Sequence, residues 1–177
     1  MSAMEALLAA RAAGVDVVLQ GDDLTLEASS PPSDAMLVAL SENKAGIVVL
    51  LRPGDDGWNA EDWQVYYDER AGIAEFDGGL SRAQAEAQAF ACCVSEWMNR
   101  NPQTSSPNQC LACGCNDSTN DPLLPFGTDT YGHAWLHSRC WDGWFKSRKV
   151  AAASALGSMG IAKPANFPND FVKNRSA

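Results

Sequence analysis

The chain has 177 residues, 46% of them hydrophobic, and a formal net charge of −9. This size and apolar content suit one domain or two small ones with buried cores, which excludes a chain that is disordered throughout. The negative charge argues against general nucleic-acid binding through phosphate neutralisation. No apolar run approaches the length of a bilayer span and the N-terminus lacks the basic region of a signal peptide, so we expect a cytoplasmic protein without a membrane partner.

The N-terminal part of the sequence predicts a helix, a β-hairpin and two further helices, in that order. A helical stripe of apolar residues ends at Gly14. Alternating residues on both sides of a Gly-Asp-Asp turn predict a hairpin over residues 15 to 28. Ser33 can cap the next helix, and a third helix is expected over residues 44 to 51, before an Arg-Pro-Gly stop.

Residues 1–53 resemble the TubC-type N-terminal docking domains of non-ribosomal peptide synthetase subunits. The resemblance rests on the runs 7–15 and 44–51 and on the hairpin turn between them. It implies a docking domain that receives a short peptide from a protein partner at the hairpin. The residues that would contact this peptide are Val18, Gln20, Thr25 and Glu27. Gly46 departs from the stronger helix formers that are usual in the last helix of such domains.

Residues 58–100 predict an antiparallel pair of helices. The first helix is expected to begin at Asn59, an N-cap inside a hydrophobic staple of two tryptophans, and to stop at Gly78-Gly79. Ser81 and Gln84 have the spacing of a capping box, which predicts the start of the second, amphipathic helix.

The segment 58–80 is also similar to segments of small proteins from bacterial mobile elements. The similarity rests on the runs 68–73 and 75–79. It implies a bacterial origin and carries no activity with it.

Two tight dyads of metal-ligating residue types follow a Pro-, Ser- and Asn-rich linker, in the runs Cys110-Leu111-Ala112-Cys113 and His137-Ser138-Arg139-Cys140. Two residues between the ligands of each dyad let both side chains reach one tetrahedral ion. The sequence therefore predicts one structural Zn²⁺, bound by Cys110, Cys113, His137 and Cys140. Two alternatives stay open, because Cys115 could compete with Cys113 and His133 could substitute for His137.

The segment between the dyads is long enough for a hairpin, and the apolar residues after Cys140 repeat at helical spacing. The second dyad is therefore expected at the first turn of a helix. A knuckle, a hairpin and helix-borne ligands in this order resemble treble-clef zinc modules, and the dyads resemble the first half of a LIM domain. The resemblance implies a zinc-binding module over residues 108–160. The tail over residues 161–177 contains two prolines and several asparagines, so we expect it to be irregular.

The charge is distributed unevenly along the chain. Residues 131–177 contain seven Lys and Arg against two Asp, so a basic module follows an acidic body. In the expected helix, Lys146, Arg148 and Lys149 could contact phosphates and Trp144 could stack on bases. This pattern makes a nucleic-acid partner the alternative to a protein partner.

The chain has no nucleophile elbow, phosphate-binding loop or nucleotide-binding fingerprint, so we expect no enzyme activity. The sequence predicts an α+β, mainly α, protein with an N-terminal docking domain, a helix pair and a C-terminal zinc module. We expect a non-catalytic zinc-binding adaptor that docks a protein or peptide through its N-terminal domain. The alternative hypothesis is a nucleic-acid-binding accessory protein of a mobile element that uses the basic helix of the zinc module.

Overall fold

The computed structural model describes residues 1–128 and 132–167, which form six α-helices and two small antiparallel sheets. This arrangement confirms the mixed α and β composition that the sequence predicts. The N-terminal elements are α1 (Ala3–Ala12), β1 (Val15–Gln20), β2 (Asp23–Ala28), α2 (Asp34–Glu42) and α3 (Lys44–Leu51). Their order and bounds agree closely with the predicted helix, hairpin and two helices.

Local sequence signals explain where these N-terminal elements begin and turn. The Ser2 hydroxyl accepts a hydrogen bond from the Glu5 N–H, and the Glu5 carboxylate accepts one from the Ser2 N–H, which starts α1 with a capping box. Gly21 joins β1 to β2 with a φ of +67°, a value that glycine adopts without strain. The hairpin register then places Val18 opposite Thr25.

The N-terminal elements enclose a hydrophobic core of their own. Its buried members are Ala6, Leu7, Ala10, Val15, Val17, Leu40, Ile47 and Leu51. Gly46 lies where α3 crosses α1, and a Cβ added there would be 2.6 Å from the Cβ of Ala3. The close approach of the two helices therefore accounts for glycine at a position where a stronger helix former was expected.

The helix pair consists of α4 (Ala60–Gly72), extended by a π-helical turn (Ile73–Asp77), and α5 (Arg82–Arg100). Asn59 caps α4 as predicted, since its side chain accepts hydrogen bonds from the N–H groups of Glu61 and Asp62. The rings of Trp58 and Trp63 flank this cap with centroids 4.8 Å apart, which is the expected staple. The capping box at the start of α5 is also present. The π-helical turn was not predicted.

The remaining elements are β3 (Leu123–Thr128), β4 (Gly132–His137) and α6 (Ser138–Ser158). The C-terminal half of α6 packs on the helix pair, because Ala152 and Leu156 share a buried cluster with Trp63 and Phe90. A single helix thus connects the predicted zinc module to the core of the helix pair.

The chain after α6 is irregular as far as it is described, and it packs back onto the helix pair. Ile161 and Phe167 are buried there, and the Phe167 ring lies 5.0 Å from the ring of Phe90. Residues 168–177 of the predicted tail lie outside the described residues. None of the helices in the described part of the chain has both the length and the apolar character needed to cross a bilayer.

Candidate metal centre

The first dyad lies in a tight knuckle that is fixed by backbone hydrogen bonds. The Cys110 N–H donates to the Cys115 carbonyl at 2.8 Å, and the Gly114 N–H donates to the Cys110 carbonyl at 2.9 Å. Gly114 has a φ of +71°, the left-handed conformation that lets the chain turn below the dyad. The Leu111 N–H donates to the Trp135 carbonyl at 2.9 Å, so the knuckle is tied to β4.

The second dyad lies at the junction of β4 and α6. The hairpin register pairs Leu123 with His137, the last residue of β4 and the N-cap residue of α6. Cys140 follows in the first turn of α6. The expectation that the second dyad lies at the start of a helix is therefore confirmed.

These elements bring four metal-ligating side chains together. The Sγ atoms of Cys110, Cys113 and Cys140 and a ring nitrogen of His137 all lie within 4.8 Å of one another. Bonds of about 2.3 Å around a tetrahedral ion place its ligand atoms roughly 3.8 Å apart, so the cluster has the dimensions of a single-ion site. Cys110 and His137 are 2% and 1% exposed, so the site is closed on the protein side.

The backbone around the cluster favours a thiolate at Cys110. Burial is the largest single influence and opposes ionisation, but hydrogen bonds from the N–H groups of Cys113, His137 and Ala112 outweigh it and lower the pKa of Cys110 to about 6. Burial and the two neighbouring thiols raise the pKa of Cys140 to about 11. Thiolates this close together repel one another, and a bound cation relieves that repulsion.

The orientation of the His137 ring is set by partners outside the cluster. Its Nδ1 faces the Cys113 Sγ at 3.4 Å, while Nε2 lies 3.3 Å from the Asn116 carbonyl and 3.8 Å from Asp121 Oδ2. Asp121 is held in turn by the Arg139 Nε at 2.8 Å. With the proton on Nε2 donated to Asn116, Nδ1 is free to bind a metal, as is typical of ligating histidines.

The clustered four residues are the ones that the dyad spacing predicts, and neither open alternative is among them. Cys115 is exposed, and its Sγ lies 3.8 Å from the Cys113 carbonyl. His133 lies on β4 opposite Gly127, with its ring 6.3 Å from the ring of Trp135. The contact of Asp121 with His137 was not predicted, because the segment between the dyads contains three acids, Asp117, Asp121 and Asp129, and nothing in the sequence distinguishes them.

The predicted docking residues are brought together on one exposed face of the β1–β2 hairpin. Val18 is 43% exposed and lies opposite Thr25 in the register. The Thr25 hydroxyl donates to Gln20 Oε1 at 3.1 Å, and Glu27 is exposed on the same face two residues further along β2. The face therefore mixes one apolar side chain with polar and acidic ones.

The basic run on α6 does not expose all three of the basic side chains that were expected to contact phosphates. Arg148 and Lys149 are only 6% and 4% exposed, whereas Lys146 is exposed. Trp144 is half-buried, and its Nε1 donates to Gln103 Oε1 at 2.9 Å. The helix turns Arg148 toward α5, so the prediction of three phosphate-facing side chains is corrected to Lys146 alone.

No protein-family model matches the chain, and comparisons with curated proteins and with solved structures give no match.

Proposed function

We propose that the chain is a non-catalytic adaptor that holds one structural Zn²⁺ in its C-terminal module and docks a protein or peptide at its N-terminal hairpin. The observation that carries the metal assignment is the convergence of three thiols and one imidazole within 4.8 Å. Three Cys and one His form a closed tetrahedral set that is typical of structural zinc and leaves no position for substrate.

The zinc has a structural task in this module. The cluster connects the knuckle, the end of β4 and the first turn of α6. The fully buried members of the small core beside it are Cys110, Leu123, Ala134 and Leu136. Such a core is too small to stabilise a fold by burial alone. Structural zinc contributes on the order of 10 kcal/mol in small modules, so the metal would supply most of the local stability.

The docking assignment rests on the N-terminal core and on the hairpin that it supports. The buried cluster of this unit is drawn only from residues 6–51, which favours a separately folding unit. In the part of the chain that the structure describes, β1 and β2 pair only with each other, so both have an outer edge without a strand partner. Such edges accept added strands, and the resemblance to TubC-type docking domains supports the same use.

A pulldown with the full-length protein tests the docking assignment. The bait is compared with a variant that carries Val18→Glu and Thr25→Lys on the hairpin face, and with Val65→Glu on α4 as a matched exposed-valine control. We expect nuclease-treated lysate of the native host to yield a protein that the control retains and the hairpin variant loses. A partner retained equally by all three baits would place docking elsewhere.

The nucleic-acid alternative has less support than the adaptor. It relied on three basic side chains near the middle of α6, and burial removes Arg148 and Lys149 from the surface. One exposed lysine contributes little phosphate attraction to a chain of net charge −9.

A further inference from the structure

A cavity of about 440 Å³ lies between the end of α5, the β3–β4 hairpin and α6. Four half-buried aromatic side chains contribute to its wall, Phe126, Trp141, Trp144 and Phe145. The rings of Phe126 and Phe145 stack on Trp141 with centroids 4.2 and 4.8 Å away. The volume falls in the range of small-molecule sites, which are mostly apolar with a few placed polar groups.

Arg148 is the one charged residue in the described wall of this cavity. Its Nη2 donates to the carbonyls of Met98 and Asn101, near the end of α5. The guanidinium also lies 5.2 Å from the ring of Trp97. Among the described residues, no acceptor pairs with its Nε or Nη1, so three of its five N–H donors are left for a ligand.

The charge of Arg148 has no carboxylate counter-ion among the described residues. The residue is only 6% exposed, and no ion pair to it exists among the described residues. Burial lowers the pKa of Arg148 from its ordinary value, yet guanidinium remains protonated at neutral pH. A buried cation without a counter-ion is costly, and an anion entering the cavity would relieve that cost.

We propose that this cavity binds a small molecule that carries a carboxylate on a flat aromatic ring. The carboxylate would accept a charge-assisted hydrogen bond from Nη1 of Arg148, because Nη2 already donates to the Met98 and Asn101 carbonyls. The ring would lie against the aromatic wall, where flat π-systems stack favourably. The cavity wall contains none of the four clustered residues and no residue of β1 or β2, so the proposal adds a ligand to the adaptor.

Protein-observed NMR with the zinc-loaded full chain tests this proposal, with 2-naphthoate as the probe. We expect saturable shifts of the Trp141 and Trp144 indole N–H signals and of the Arg148 Nε–H signal. The neutral 2-naphthamide should bind at least tenfold more weakly because it lacks the charge. Cyclohexanecarboxylate should also bind at least tenfold more weakly because it lacks the flat ring.

Two variants separate the contributions of the charge and the ring. Arg148→Met should abolish the naphthoate shifts while zinc content is retained, whereas Lys146→Met, an exposed basic residue on the same helix, should leave binding unchanged. Phe145→Leu should weaken naphthoate binding at least threefold and leave the response to cyclohexanecarboxylate unchanged.

The comparison of the three ligands on the wild-type chain tests the proposed carboxylate site even if Arg148→Met fails to fold. Absence of saturable shifts with naphthoate, or equal affinity for naphthoate and naphthamide, would overturn the proposal and leave Arg148 as a structural clamp on the end of α5. Naphthoate binding that survives Arg148→Met in a folded, zinc-loaded variant would overturn it as well.

Discussion

Replacing Gly46 with alanine tests the packing of the proposed docking unit. In an exposed helix interior, Gly→Ala stabilises the folded protein by about 1 kcal/mol, because alanine has less conformational freedom than glycine in the unfolded chain. At Gly46, however, the new Cβ would lie 2.6 Å from the Ala3 Cβ, where carbon atoms pack best at about 3.5–4.0 Å. Helices α1 and α3 must therefore separate by roughly 1 Å, and overpacking of this kind costs about 1–3 kcal/mol.

We expect Gly46→Ala to lower the free energy of unfolding by up to about 2 kcal/mol, since the packing cost exceeds the helix-propensity gain. Gly143→Ala is the matched control, because Gly143 is also helical but an added Cβ there meets no atom within 4 Å. That variant should gain up to about 1 kcal/mol.

Urea denaturation of the zinc-loaded full chain, followed by circular dichroism, measures both changes. Native-state hydrogen exchange should place the loss in α1 and α3. If Gly46→Ala gains stability as Gly143→Ala does, α1 and α3 do not approach as closely as described, and the predicted packing cost is refuted.

Three further outcomes follow from the core, the thiols and the metal support. Phe90→Ala should lower the free energy of unfolding by about 3–5 kcal/mol in thermal melts, whereas Phe76→Ala at an 83% exposed ring should be nearly silent. Timed alkylation with mass spectrometry should label exposed Cys115 in the zinc-loaded chain and spare Cys93, where burial raises the pKa to about 12; early labelling of Cys93 would contradict this core. Asp121→Ala should weaken zinc binding about tenfold in a competition titration, and unchanged affinity would remove Asp121 from the support of His137.

The parts of the fold that the sequence predicted are those set by local chemistry. The caps at Asn59 and Ser81 depend on side chains within three residues of each helix start. The hairpin follows from alternation around Gly21, and the metal cluster follows from dyads whose spacing alone limits the geometry.

The parts that the sequence did not predict depend on contacts between distant residues. The sequence identifies Gly46 only as a weak helix former, because its close contact with Ala3 depends on how α1 and α3 pack. Arg148 was expected to be available to phosphates, because helical periodicity does not reveal that α5 lies beside it with the Met98 carbonyl as acceptor. The continuity of α6 from Cys140 into the core around Phe90 is likewise a property of packing and not of local sequence.

The measurement that tests the zinc assignment most directly is the metal content of the purified full chain and of two variants, determined by elemental mass spectrometry. We predict one zinc per chain in the wild type and in Cys115→Ser, because Cys115 lies outside the cluster. Cys110→Ser should lose most of its zinc, together with the stability of the knuckle and the start of α6. A wild-type chain without zinc, or Cys110→Ser with a full complement of zinc and an unchanged melting profile, would contradict the account.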